Sequence, residues 1–164
     1  MGLISGSLAY LFTAPGPLAM TSWTAAMTLG FCAACAAETQ NKNCLRILRE
    51  GYAQLQQNLI SDDSLNVHAV VSNRMNEALV AASENERISQ IVFQLARQTA
   101  RYTRLGLSEH ASRQKSVETW KELIAFIADG KMREAEQLER RRVLSVQKIA
   151  SDRIERTGHE TLSE

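Results

Sequence analysis

The chain has 164 residues, with 19 lysines and arginines against 18 aspartates and glutamates, so its formal net charge is +1. This length corresponds to about one domain, and a charge so close to zero means that the chain has no global basic field with which to bind nucleic acid. Stretches rich in alanine, leucine, glutamate and arginine, with only two prolines in the chain, are typical of a helical protein.

The N-terminal part of the chain is apolar and carries no charged side chain in its first 37 residues. Residues 1–20 contain three glycines and two prolines, and they are interpreted as a linker or the remnant of a preceding domain, with one short strand over Leu8–Phe12. A first helix is predicted over about residues 21–38. The stretch 18–37 is long enough to span a membrane, but it has few leucines, isoleucines, valines or phenylalanines and no basic residue before it. A buried bundle helix is therefore favoured over a membrane or exported segment.

The three cysteines, Cys32, Cys35 and Cys44, are an odd number, and the first two lie three residues apart on the predicted helix. This argues against a disulfide framework and favours a reducing compartment. A zinc site is the alternative interpretation, but the spacing from Cys35 to Cys44 fits no compact zinc knuckle and no fourth ligand follows nearby. Small buried thiols are the favoured interpretation.

Five further helices are indicated by apolar residues at helical spacing, separated by short polar breaks. The third helix follows two aspartates, and the sixth ends in a flexible polar tail over residues 158–164. Because the breaks are short, the six helices are predicted to pack as an all-α antiparallel bundle. The predicted boundaries are, in chain order, an N-cap at Asn41, a cap at Asp62 or Asp63, a break at residues 83–85, an end at Gly106, an N-cap at Ser116 and an end at Asp129-Gly130.

No catalytic motif occurs in the sequence, which lacks a glycine-rich phosphate loop, a Gly-x-Ser-x-Gly elbow and a His-Glu-x-x-His pair. The histidines are His68, interpreted as a buried and hydrogen-bonded side chain of the third helix, and His110 and His159, placed in a polar loop and in the tail. The charged residues between positions 136 and 142, which are Glu136, Glu139 and Arg140–Arg142, are interpreted as a solvated helical face with pairs four residues apart. The sequence therefore gives no support for an enzyme.

Four segments of the chain carry a family resemblance in their order and spacing. They are Ala36-Ala37-Glu38 with Leu45-x-x-Leu48-Arg49, Ser72–Asn85, Trp120–Gly130, and the last helix from Ala135 to Val143. Over about residues 22–157 they resemble the C-terminal ligand-binding domain, or FCD domain, of the FadR-like branch of the GntR transcription regulators. The resemblance implies that residues 21–157 form a cytoplasmic effector-binding domain that dimerises with a second copy.

The resemblance also bears on a metal site. Domains of this family commonly hold a metal through one aspartate and three histidines, and the positions that match them here are Ser72, Asn76, Trp120 and Arg142. Serine, asparagine, tryptophan and a permanently charged arginine do not form a good divalent-metal site. The resemblance therefore implies neither a metal nor a cofactor in this chain.

The same four positions imply a different pocket, with Arg142 beside Trp120 and with Ser72 and Asn76 opposite. A buried guanidinium needs an anionic partner, which a small carboxylate or acyl-type effector would supply. In the alternative interpretation Arg142 reaches solvent or pairs with a protein carboxylate, and the site binds nothing.

The family places a winged-helix DNA-binding domain before the bundle, and residues 1–20 are too short to form one. DNA contact is therefore expected only through a domain that this chain lacks. Two further alternatives are a helical protein–protein interaction module without a small-molecule ligand, and an exported protein with a cleaved N-terminus.

Overall fold

The computed structural model describes residues 16–61 and 63–160. Over those residues the chain forms six helices and no strand, which confirms the prediction of an all-α bundle. The strand predicted over Leu8–Phe12 lies outside the described residues. The sequence predicts a tail from residue 158, whereas the last helix continues to Glu160. The helices are α1 (Gly16–Thr39), α2 (Lys42–Gln57), α3 (Ser64–Ala82), α4 (Glu86–Gly106), α5 (His110–Ala128) and α6 (Met132–Glu160).

The pair α1 and α6 forms the centre of the bundle and has the most extensive contact of any two helices. Helix α1 also packs against α3, α4 and α5. One helix among the described residues, α1 over Met20–Thr39, is long and apolar enough to cross a membrane, and 56% of that window is buried inside the bundle. Its apolar character is accounted for by this central position, because a helix surrounded by other helices buries most of its circumference.

Side chains cap the helices where the sequence changes from apolar to polar. The Oδ1 atom of Asn41 accepts a hydrogen bond of 2.9 Å from the backbone N–H of Cys44, which confirms Asn41 as the N-cap of α2. Asn85 does the same for α4, accepting from the N–H of Ile88 at 3.1 Å. Each cap satisfies one N–H that has no partner inside the helix.

Two helices begin earlier than the sequence predicts. Helix α1 begins at Gly16 rather than near Thr21, with Pro17 in its first turn, where the missing N–H costs no hydrogen bond. Helix α5 begins at His110 rather than at Ser116, so the predictions that His110 lies in a loop and that Ser116 is the cap are wrong. Ser116 is instead a buried residue in the second turn of α5, where it faces the interior.

Helix α4 packs against the bundle mainly by its C-terminal end. Only Val92 and Gly106 of this helix are buried, and Phe93 is 52% exposed. At Gly106 an added Cβ atom would overlap the carbonyl oxygen of Val146 on α6, so only glycine permits this close approach. Helix α4 is therefore a wall of the bundle that is held tightly at one end.

Candidate functional site

A cavity of about 430 Å³ lies between α3 and α4, and residues of α1, α5 and α6 also line it. Its two long walls differ in chemistry. The wall from α4 is mostly apolar, with Leu95, Ala96 and Ala100 among its residues. The remaining polar lining comes from three helices and includes Ser72, Asn76 and Glu77 of α3, Ser116 of α5 and Arg142 of α6. A space of this size with one apolar wall and a few polar groups has the features of a small-molecule site.

Three of the four candidate residues, Ser72, Asn76 and Arg142, line this cavity. The fourth, Trp120, is fully buried and does not line it. The guanidinium carbon of Arg142 lies over the Trp120 ring, 4.0 Å from its centroid, so the indole makes a cation–π contact with the guanidinium. The structure thus brings all four positions together, but Trp120 contacts Arg142 and does not line the cavity.

Arg142 is paired with a buried carboxylate, that of Glu139 one turn earlier on α6. Its Nε donates to Oε2 of Glu139 at 2.7 Å and its Nη2 donates to Oε1 at 2.5 Å. Nη2 also donates to Oδ1 of Asn76 at 2.6 Å. Nη1 has no hydrogen-bond partner among the described residues. The guanidinium is therefore satisfied on two of its three nitrogens.

Glu139 is the site residue that the sequence analysis missed. Its side chain is 0% exposed, so the interpretation of Glu136–Arg142 as a solvated face is wrong at this position and at Arg142, which is 8% exposed. The signal was present in the spacing, because residues three apart on a helix share a face. If Arg142 points inward, the carboxylate three residues before it points inward as well.

Ser72 adds an unused polar group to the cavity wall. Its Oγ atom is buried and has no hydrogen-bond partner. A buried hydroxyl without a partner is unfavourable by about 1–3 kcal/mol, so native proteins rarely leave one unpaired. Ser72 lines the cavity, although its Oγ atom is itself enclosed by protein.

His68 lies one turn before Ser72 on α3 and is buried, as the sequence predicts. Its Nε2 atom is 3.0 Å from Oγ of Ser116, which itself lines the cavity. Burial, followed by the charges of Arg142 and Arg113, lowers the pKa of His68 to about 4. The imidazole is therefore neutral at physiological pH.

Arg113 is a second buried guanidinium close to this site. Its Nη1 donates to the carbonyl oxygens of Leu107 and Ser108, at 2.9 and 2.8 Å, just after the end of α4. No carboxylate pairs with it in the described part of the chain. Arg113, Arg142 and Glu139 are the buried charged side chains there, so the interior has an excess of one positive charge. The sequence analysis missed Arg113 because it placed this segment before the start of α5.

The described residues contain no group of three or more histidine, cysteine, aspartate or glutamate side chains that would hold a metal ion. The three cysteines are free; Cys32 and Cys44 are buried and Cys35 is half-buried. Burial raises the pKa of Cys32 to about 11 and that of Cys44 to about 12. These thiols are thus small apolar side chains of the core at neutral pH.

Comparison with known families gives one match. Residues 29–144 match the family described as the FCD domain. The matched part runs from the middle of α1 to the middle of α6 and includes all four candidate positions. No curated protein and no solved structure matches the chain.

Proposed function

The chain belongs to the FCD-domain family, the C-terminal domain of GntR-family regulators, and from this premise we propose that it senses a small organic anion in the cavity between α3 and α4. FCD domains are regulatory and not catalytic, and they are the effector-binding domains of GntR-type regulators. The proposal concerns which effector class this chain takes and which residues hold it.

The observation that carries the proposal is the buried guanidinium of Arg142 on the cavity wall. Its Nη1 has no hydrogen-bond partner in the described chain. Ser72, whose buried hydroxyl is also unpartnered, lines the same cavity. A carboxylate in the cavity can accept from Nη1, and charge-assisted hydrogen bonds of this kind are the strong ones. Asn76 holds the guanidinium in position through its Oδ1 atom.

The charge of the interior favours an anion over a neutral ligand. Among the described residues the buried side chains carry two positive charges, on Arg113 and Arg142, and one negative charge, on Glu139. A monoanion that enters the cavity offsets this excess, whereas a cation would increase it. The cavity edge carries one exposed charge of each sign, on Arg104 and on Glu77, so the excess of positive charge is that of the interior.

We further propose that the domain acts in the cytoplasm as a homodimer and contacts DNA only through a winged-helix domain N-terminal to the bundle. Effector binding between α3 and α4 would shift the position of α4, and this shift would change the geometry of the assembly. The near-neutral charge of the chain, +1, supports a bundle that does not itself hold DNA.

One observation favours a second candidate function, a helical protein–protein interaction module. Arg142 already has a protein carboxylate as its partner, so the cavity has no unpaired charge on Arg142 itself. In this alternative the cavity is a remnant of an effector site. The exposed apolar side chains of Val70 and Phe93 at its edge would then belong to a protein interface.

A thermal-shift screen of carboxylates, sugar acids and acyl-CoAs tests the proposal. A ligand at 100 times its Kd stabilises the fold by about 2.7 kcal/mol, which raises the Tm of a domain of this size by about 5–11 °C. The double variant Glu139→Gln with Arg142→Gln removes both charges together and abolishes the shift. Arg141→Gln, at an exposed neighbouring position, is the matched control and keeps the shift.

Two outcomes contradict the proposal. A compound whose shift is the same in the double variant binds elsewhere on the protein. If no compound raises the Tm of the wild type, the interaction module becomes the better proposal.

A further inference from the structure

Three residues of α3 form a polar row along the cavity side of the helix. His68, Ser72 and Asn76 follow one another at intervals of four residues, which places them on one face. Ser72 and Asn76 reach the cavity directly, whereas His68 reaches it only through Ser116 of α5, since its Nε2 lies 3.0 Å from the Ser116 Oγ. His68 is therefore one hydrogen bond behind the cavity surface.

The direction of the hydrogen bond between His68 and Ser116 depends on the charge of the imidazole. A neutral imidazole can accept from the Ser116 hydroxyl at Nε2, and the serine then offers only its lone pairs to the cavity. A protonated imidazole is a donor at both nitrogens, so Nε2 must donate to the Ser116 oxygen. The hydroxyl hydrogen of Ser116 is then free to point into the cavity as a donor.

The charged groups that act on His68 are both positive. They are Arg142 on α6 and Arg113 on α5, and no charged side chain of α2 or α4 is among them in the described chain. Arg142 is partly offset by Glu139, its partner on α6. An anion beside Arg142 would oppose the two cations and would make protonation of His68 more favourable.

We propose that His68 is a positioning residue for the effector: it takes up a proton as an anion binds beside Arg142 and so turns the Ser116 hydroxyl into a donor to that anion. The inference rests on the proposed function, because it needs an anion in this cavity. It adds that the site binds its effector more tightly in mild acid. The proton comes from solvent and is released again when the anion leaves.

The sign of the pH effect follows from linkage. In the free protein the pKa of His68 is about 4, and a bound anion moves it toward the ordinary value of about 6.5. Binding therefore takes up protons between these two values, and affinity rises as the pH falls through that window. For a bound-state value near 6, a carboxylate that stays ionised binds about fourfold more tightly at pH 5.5 than at pH 7.5.

The test measures binding of acetate, benzoate and octanoate by calorimetry at pH 5.5 and pH 7.5, with the full chain. We expect at least one of these monocarboxylates to bind about three to four times more tightly at pH 5.5. His68→Gln keeps a side chain that can hydrogen-bond Ser116 but does not titrate, so the pH dependence disappears in this variant. His110→Gln removes an exposed histidine and is the matched control that keeps the dependence.

NMR titration of the histidine side chains, with the His68 signal identified by its loss in His68→Gln, gives an independent measurement. The midpoint of His68 rises when the bound carboxylate is present. It also rises in Arg142→Gln, where Glu139 becomes an unpaired anion. If Arg142→Gln does not fold, Arg113→Gln is measured in its place, and the midpoint rises in that variant too. A rise of about one pH unit is the expected size for a buried group that loses a nearby like charge.

The outcomes separate the two proposals. Binding with the same pH dependence in His68→Gln overturns the inference and leaves the proposed function standing. Failure of all three carboxylates to bind counts against the proposed function. The inference then fails with it, because it needs an anion in this cavity. Where a carboxylate does bind, an unchanged His68 midpoint in the complex also overturns the inference.

Discussion

The guanidinium carbon of Arg142 lies 4.0 Å from the centroid of the Trp120 ring. The ring occupies one face of the cation, while the Glu139 carboxylate takes two of its nitrogens. An arginine held in this way has lost most of its rotamer freedom before any ligand arrives. A ligand that binds its remaining nitrogen therefore pays little for ordering the site.

Breaking the buried pair on one side will destabilise the fold strongly. Glu139→Leu leaves Arg142 buried without an anion, and we expect the free energy of unfolding to fall by about 3–5 kcal/mol. Arg142→Met leaves Glu139 unpaired and has a similar effect. The double variant loses much less than the sum of the two, because no charge remains buried without a partner. Urea denaturation followed by circular dichroism measures all three, and strictly additive losses would contradict the prediction.

The stability of the fold will depend on pH through His68. Its pKa is lowered to about 4 in the folded chain, against about 6.5 when unfolded. The contribution of His68 to the free energy of unfolding is therefore fully present above pH 6.5. It is lost as the pH falls toward 4, because the unfolded chain binds the proton first. Between pH 7.5 and pH 4.5 the wild type loses about 2–3 kcal/mol more than His68→Gln. Urea titrations at the two pH values measure this, and an equal loss in both proteins would show that His68 is not buried neutral.

A glycine at the end of α3 will stabilise the protein. Glu84 has a backbone φ of 50°, in the left-handed region that disfavours side chains with a Cβ. We expect Glu84→Gly to raise the free energy of unfolding by about 0.5–1 kcal/mol. Glu84→Ala keeps the Cβ and is the matched control, with no such gain. If the alanine variant is as stable as the glycine variant, the gain arises from the lost charge instead.

The three thiols will react in two groups with a thiol reagent at pH 8. Cys35 is half-buried, whereas the other two thiols are buried, so it reacts first in the native protein although partial burial raises its pKa. Cys32 and Cys44 have pKa values of about 11 and about 12 and lie in the core, so they react only when the chain unfolds. Cys35→Ser removes the fast phase. Fast labelling of two thiols in the native protein would contradict the burial of one core cysteine.

The six helices could be predicted from the sequence because apolar spacing and capping residues such as Asn41 are local signals. The four candidate positions followed from the family resemblance. Glu139 and Arg113 were not predicted, since a charged residue in a charged run looks solvated until the face that it shares is known. The cavity itself was beyond sequence reasoning, because its volume depends on how α4 is held relative to its neighbours, for example through the contact of Gly106 with Val146 on α6.

The coupling between Glu139 and Arg142 also limits how this site can change over generations. A single replacement at either position leaves a buried charge without its partner, which few proteins of ordinary stability tolerate. A histidine at position 142, of the kind that a metal site requires, would leave the Glu139 carboxylate without its cation unless the metal arrived in the same step. We expect the two positions to change together among relatives, so that the pair is inherited as one unit.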